Sequence, residues 1–128
     1  MFRLEIDIRF RDIDMLGHVN SAVYATYLET ARIKYFLSRF GSYKPAFVLR
    51  RAELDYLAPL HLGEVAVVEM WVGHIGESSW EFKYRITEKT SGRVAMEAST
   101  IQVWVDERGS KARIPDEVRE VLESDRLD

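Results

Sequence analysis

Apolar and polar residues alternate from the first positions of the chain: Phe2, Leu4, Ile6, Ile8 and Phe10 against Arg3, Glu5, Asp7, Arg9 and Arg11. A period of two predicts a half-buried strand. The next stretch, Asp12 to Asn20, has no period and contains Gly17, which predicts a loop. From Ser21 the period turns helical. Tyr24, Tyr27, Leu28, Ala31 and Tyr35 form one stripe, broadened by Ala22, Val23, Ile33, Phe36 and Leu37. This predicts a largely enclosed helix of about 20 residues and on the order of 30 Å. Gly41 ends it, with Pro45 shortly beyond.

The rest of the pattern is mostly strand. Ala46 to Tyr56 is one candidate, and Val-rich Glu64 to Ile75, bent at Gly73, is another. Trp80, Phe82, Tyr84 and Ile86 alternate with polar residues. Arg93 to Asp106 is the last long strand, and Ile101 to Val105 carries apolar residues in both phases, which predicts burial on both faces. Gly76-Glu77-Ser78 and Thr90-Ser91-Gly92 are short enough to join antiparallel neighbours. Pro115 to Glu123 reads as a short amphipathic helix, followed by a charged, frayed tail. Strand, helix and four strands in that order predict an α+β fold: an antiparallel sheet of about five strands with a long helix against its concave face.

Composition narrows the function classes. The chain has 128 residues, 18 basic and 21 acidic side chains, a net charge of −3 and 47% apolar content. It is expected to form a single soluble domain over residues 1–128. Mixed charge without a basic stripe argues against nucleic acid as a partner. No apolar run approaches the length of a membrane span, and Met1-Phe2-Arg3 leads into no signal-peptide core, so a cytoplasmic location is expected. With no cysteine there is no disulfide framework, thiol nucleophile or thiolate metal site. His18, His61 and His74 are scattered without an H-E-x-x-H, and no metal site is expected. G-x-S-x-G, the P-loop and G-x-G-x-x-G are all missing. Amide side chains are rare: Gln102 is the one Gln and Asn20 the one Asn.

One segment concentrates chemistry. Asp12, Asp14, His18 and Asn20 fall within nine residues, directly before the helix. A helix N-terminus offers unpaired N–H groups and partial positive charge, the donors that stabilise a developing oxyanion. A carboxylate beside it could attack a carbonyl or activate a water against it. Structural roles compete with these. Asn20 serves equally well as the helix N-cap, Asp12 suits a loop or capping carboxylate, and His18 could fix the loop. The residues alone point to a candidate carbonyl site.

The run Asp12-Ile13-Asp14-Met15-Leu16-Gly17-His18-Val19-Asn20-Ser21-Ala22-Val23-Tyr24, with Tyr27-Leu28-Glu29-Thr30-Ala31-Arg32, resembles the signature of hotdog-fold acyl-CoA thioesterases. The closer group is the 4-hydroxybenzoyl-CoA thioesterase type, with its D-x-D-x-x-G-H-V-N-N-x-x-Y pattern and E-x-A-R on the helix. Arg51 to Leu60 with Gly63-Glu64 resembles that family's second strand and turn, and Ser78 to Ile86 its central strand. The resemblance covers nearly the whole chain. It implies a sheet wrapped around a long central helix, and hydrolysis of an acyl-CoA to a free acid and coenzyme A without a cofactor.

Carried over by position, Asp14 is the implied catalytic carboxylate, as nucleophile or general base. His18 and Asn20 orient the loop or the thioester. Gly17, Val19, Ser21, Ala22 and Tyr24 form the implied substrate-binding set: Gly17 for close backbone approach, Tyr24 in the acyl pocket, and the N–H groups of Asn20 to Ala22 on the thioester carbonyl. Ser21 departs from the pattern, which has a second Asn there. Acyl-carrier-protein thioesterases of plants share H-V-N-N and give more of the chemistry to His and Asn. The resemblance also implies self-association as a dimer or tetramer, with sheets joined edge to edge and sites at the interface. Lys44, Arg50 and Arg51 are candidates to meet the coenzyme A phosphates. A non-catalytic module that binds acyl thioesters and an acyl-carrier-protein thioesterase are the alternatives; a hydratase on the same fold spaces its Asp and His differently.

Overall fold

The computed structural model of the protein describes residues 1–41 and 46–127, so Pro45 and Lys44 lie outside the described residues. The elements are β1 (Phe2–Asp7), a 3-10 turn (Phe10–Asp12), α1 (Ser21–Phe40), β2 (Phe47–Tyr56), β3 (Val65–Ile75), β4 (Ser79–Glu88), β5 (Val94–Trp104) and α2 (Asp116–Ser124). All strand pairs are antiparallel, in the order β1-β3-β4-β5-β2. β1 and β2 are consecutive strands yet occupy opposite edges, so their connection has to cross the sheet. Five strands span about 19 Å. The 20 residues of α1 reach about 30 Å and are long enough to make that crossing.

The predicted stripe of α1 is the face that is buried: Tyr24, Tyr27, Leu28, Ala31 and Tyr35, joined by Arg32 and Phe36. It packs in one core with Val68 and Met70 of β3 and Trp80, Phe82, Tyr84 and Ile86 of β4. Phe36 is the hub of an aromatic cluster that includes Phe40, Phe47, Trp80 and Phe82. Gly41 closes the helix in the left-handed conformation (φ 67°), where glycine carries no Cβ penalty. Enclosure is one-sided, however, since Ala22, Ala25 and Ile33 face outward in the single chain.

Three expectations are corrected. The alternation of β1 holds through Ile8, which is buried, but Phe10 is 83% exposed. The Asp12 carboxylate accepts the Arg9 amide at 3.0 Å and pulls residues 9–12 out of the strand into a turn. Ile101 and Val103 are only half-buried, and the side chain that faces the core from this stretch is Gln102. Its amide donates to the Trp80 carbonyl at 3.1 Å and its oxygen accepts the Thr100 hydroxyl. Thr100 meets the Tyr84 hydroxyl at 2.5 Å, which in turn accepts from Arg32 at 3.2 Å. Each buried polar group is satisfied by the next.

The tail is not frayed. A bulge after Val72, where Gly73 sits, shifts the β3–β4 register. The Val72 amide donates to the Asp125 carbonyl at 3.0 Å, and Leu127 donates to the Val72 carbonyl at 2.9 Å. The tail thereby continues the β3 edge past Met70, the partner of Phe2 at the start of β1. Asp125 is buried and accepts the Tyr35 hydroxyl at 2.6 Å and Arg39 at 2.9 and 3.1 Å. Removing it strands a buried hydroxyl and a guanidinium. Asp125→Ala should cost roughly 2–3 kcal/mol, read as a lower denaturant midpoint at unchanged slope.

Carboxylates also make the fold acid-sensitive. Glu88 accepts the Thr90 and Ser91 amides at 3.0 and 2.9 Å across the β4–β5 turn. Those bonds draw its carboxyl from 4.5 down to about 2. For Asp125, burial opposes ionisation, but Arg39 and Tyr35 outweigh it and hold the group below its ordinary range. A carboxyl depressed on folding stabilises fully above its unfolded pKa, and that stability is lost as pH falls through the folded one. The thermal midpoint should therefore be level down to about pH 5 and decline toward pH 2. Glu88→Gln should lower the plateau and flatten the decline, as calorimetry across that range will show.

Candidate active site

The loop between β1 and α1 is anchored before it does anything else. Asp12 is 1% exposed. It accepts Arg9 Nη2 at 2.9 Å and the Tyr27 hydroxyl at 2.9 Å, and its carbonyl accepts the Asn20 amide at 2.8 Å. Burial would raise its pKa, yet Arg9 and Tyr27 together hold it below the ordinary range. The Tyr27 phenol is pushed up by the same burial and by the neighbouring carboxylate. Asp12 is thus the loop carboxylate of the structural alternative.

Asp14 is placed differently. It is half-buried. Its Oδ1 accepts the Leu16 amide at 2.8 Å and the His18 amide at 3.2 Å, while its own amide donates to the His18 carbonyl at 2.8 Å. Among the described residues no group donates to Oδ2. The carboxylate is fixed through one oxygen and offers the other. Gly17 completes the turn at φ 80°, with open space where a Cβ would stand. Its requirement is backbone conformation, and it lies off the cleft.

Asn20 caps α1: its Oδ1 accepts the Ala22 amide at 2.9 Å. Its own amide is spent on Asp12 and the Val23 amide on the Asn20 carbonyl at 2.9 Å. Of the Asn20 to Ala22 amides, the one left without a partner among the described residues is that of Ser21. It stands at the positive end of the helix, a position from which an amide can donate to an anionic oxygen.

Asp14, His18, Val19, Asn20, Ser21 and Tyr24 line one cleft of about 370 Å³ with Tyr56, Leu57, Ala58 and Pro59. Ala22 does not line it. Val19 is nearly fully buried, and its amide donates to the Leu60 carbonyl at 2.8 Å, so it joins the cleft wall to the core. The ring of Tyr24 stands edge-to-face with Tyr56 at 5.4 Å, and the Tyr56 hydroxyl donates to the Ser21 carbonyl at 3.0 Å. Burial raises the Tyr24 phenol, with the Leu60 backbone and Arg93 acting against it. It is a neutral wall at physiological pH.

Tyr56 to Pro59 fall outside the site residues expected from the sequence. Their signal is an aromatic-apolar pair at the end of an edge strand, since Tyr56 and Leu57 are each 53% exposed. Arg50 and Arg51 do not reach the cleft in the single chain. Arg50 borders a separate cavity with Glu77 and Lys111, and Arg51 pairs with Glu53 along β2. Among the described residues no three acidic or histidine side chains converge as a metal site, and no helix is long and apolar enough to cross a membrane.

Comparison with known proteins places the chain in a family. Residues 8–122 match the family described as the thioesterase-like superfamily. A thioesterase from Thermus thermophilus, solved with coenzyme A and zinc, is 37% identical and superposes with a TM-score of 0.87 over 95% of this chain and 92% of that one. A 1,4-dihydroxy-2-naphthoyl-CoA hydrolase of Nostoc punctiforme is 29% identical over 94% of this chain and 86% of its own. A chloroplastic acyl-acyl carrier protein thioesterase of Arabidopsis thaliana is 26% identical over 91% of this chain, which spans 64% of that relative's length. The five-stranded antiparallel sheet with two helices is the architecture of hotdog thioesterase structures. The family match and the motif at the head of α1 coincide, and the chain belongs to the thioesterase-like superfamily.

Proposed function

We propose that the protein is a thioester hydrolase that cleaves an acyl-CoA to a free carboxylic acid and coenzyme A. The observation that carries this reading is the Asp14 carboxylate, fixed at Oδ1 by two amides, in the same cleft as the unpartnered Ser21 amide. In this reading the thioester carbonyl oxygen takes the Ser21 N–H and the end of α1. Asp14 Oδ2 then either attacks the carbonyl carbon, giving a mixed anhydride that water opens, or takes a proton from an attacking water. The C–S bond breaks in both routes and coenzyme A leaves as the thiolate, which takes a proton from solvent in the first route and from the protonated Asp14 in the second. Asn20 and His18 act by holding the geometry: the first fixes the head of the helix, the second presents its backbone to Asp14. Tyr24 and Tyr56 line the acyl side. No cofactor enters, and the reaction is assigned to the cytoplasm, where acyl-CoA is made and used.

The similarity to acyl-carrier-protein thioesterases favours a second carrier for the same chemistry. A thiol-release assay should include aliphatic acyl-CoAs, 4-hydroxybenzoyl-CoA and an acyl-acyl carrier protein. We expect turnover on at least one, and a drop in kcat of roughly 10²- to 10⁴-fold in Asp14→Asn. Turnover that survives the substitution removes Asp14 from the chemistry. A chain that is inert on every substrate but stabilised by acyl-CoA is a binding module.

The reading includes self-association through β2. This edge strand is exposed along most of both faces, and Val48, Leu49, Tyr56 and Leu57 are all about half exposed or more. An open edge with apolar side chains calls for a partner. Along its outer row Arg51 is followed by Glu53 and Asp55, so a second copy running antiparallel brings Arg51 opposite an acidic residue of its partner. Such pairing also extends the sheet around α1 and covers the open side of the cleft. Two symmetric like-charge contacts of about 1 kcal/mol each in Arg51→Glu should weaken the dimer roughly tenfold or more by sedimentation. Adding Glu53→Arg should restore it.

A further inference from the structure

The loop that carries Asp14 rests on a second loop, residues 58–64, which the proposed chemistry leaves unused. His18 and His61 form an antiparallel bridge, and the Val19 amide donates to the Leu60 carbonyl at 2.8 Å. The two imidazole rings meet edge-to-face at 5.1 Å. Behind them, His61 is held twice by one carboxylate oxygen. Glu64 Oε1 accepts the His61 amide at 2.7 Å and stands 3.1 Å from its Nδ1. The turn between them closes through the Glu64 amide on the His61 carbonyl at 3.1 Å, with Gly63 at φ 88°.

Arg93, the residue before β5, locks this turn to the sheet. One nitrogen, Nη2, reaches Glu64 Oε1 at 2.8 Å, Oε2 at 3.1 Å and the Pro59 carbonyl at 3.0 Å. A single guanidinium therefore ties both ends of the 59–64 loop, one of which is a wall of the cleft. Burial would disfavour the Glu64 carboxylate, but the His61 amide and Arg93 overcome it and keep the group ionised. An ionised Glu64 accepts a hydrogen bond from His61 Nδ1, which fixes that ring's tautomer and orientation. The His18 ring packs on it, and the His18 backbone sets the oxygen of Asp14 that is not needed for reaction.

We propose that Glu64, clamped by Arg93, is a positioning residue for the hydrolysis. It acts through His61 and His18 to hold Asp14 in register with the Ser21 amide. The inference rests on the thioesterase reading with Asp14 as the reacting carboxylate. Neither Glu64 nor Arg93 touches the substrate in this scheme, so their loss should slow the chemical step and leave binding unchanged. A carboxylate displaced by a fraction of an ångström to an ångström loses on the order of 10- to 100-fold in rate.

The test is kinetic. In Glu64→Gln, kcat on the best acyl-thioester substrate should fall roughly 10- to 100-fold with KM within about twofold of the wild type. In the Asp14→Asn background the same change should have almost no further effect, because the group it positions is gone. Arg93→Lys keeps the charge but not the guanidinium plane that brings Nη2 to Glu64 and the Pro59 carbonyl at once, and its kcat should fall roughly 3- to 10-fold. It also serves as the readout if Glu64→Gln does not fold. A kcat within twofold of wild type in folded Glu64→Gln or, failing that, in Arg93→Lys overturns the proposal. So does a full multiplicative loss on top of Asp14→Asn, or a change confined to KM. Wild type that is inert, or that stays active as Asp14→Asn, brings down the thioesterase reading itself, and this pattern is distinct from an Asp14-dependent enzyme indifferent to Glu64.

Discussion

The buried carboxylate of Asp12 is the constraint on which the site depends. It binds the end of β1 through Arg9, the first turns of α1 through Tyr27, and the far end of its own loop through the Asn20 amide on its carbonyl. Burying an ion is costly unless it is paired and hydrogen-bonded, and here both conditions are met. The consequence is geometric: strand end, loop and helix head cannot move independently. Two residues on, the same side chain has the opposite setting. Asp14 is half-buried, bound through one oxygen and open at the other. One D-x-D motif thus holds an anchor and, in the proposed mechanism, a reagent, and environment alone separates the two.

The head of α1 shows a similar division of labour. A helix begins with unsatisfied amides, and a site built there competes with the fold for them. In this chain the fold takes most. Asp12 uses the Asn20 amide, the Asn20 side chain uses that of Ala22, and the Asn20 carbonyl takes that of Val23. Ser21 is left between them. Asn20 therefore satisfies a neighbouring amide, and the one Asn of the chain is spent on a cap. The one Gln is likewise structural. Gln102 ends a buried polar chain from Arg32 through Tyr84 and Thr100, which fixes how α1 sits over β4 and β5.

Much of this is legible in the residues because hydrophobic period maps onto burial. The stripe of α1 and the inner positions of β4 fall where a period of 3.6 or 2 puts them, and the turns at Gly76 and Ser91 join the strands that their length suits them to join. The departures share a cause. Phe10, Gln102 and Asp125 escape the pattern because polar partners decide their place: the Arg9–Asp12 clamp, the Thr100–Trp80 bonds and the Tyr35–Arg39 pair. Local period carries no information on such partners. For the site, the first loop can be read because its residues are contiguous. Tyr56 to Pro59 cannot, because it is the register of β2 on β5 that brings them to the head of α1.

That register also bears on what one chain can accomplish alone. Ser21 and Asp14 stand in a cleft whose other side is a sheet edge with exposed apolar residues, and Met15 and Leu16 in the same loop are almost fully exposed. An oxyanion donor is worth most where water is excluded, since its field is then unscreened. A single amide at an open helix end meets that condition poorly. The end of β2 meets the head of α1 through the Tyr56 hydroxyl on the Ser21 carbonyl and the Tyr24 ring, and β2 itself is exposed along most of its length. One covering surface would dry the cleft, satisfy the edge and enclose the helix together. The proposed second copy would meet all three with one surface, which is why the self-association is part of the functional reading rather than an addition to it.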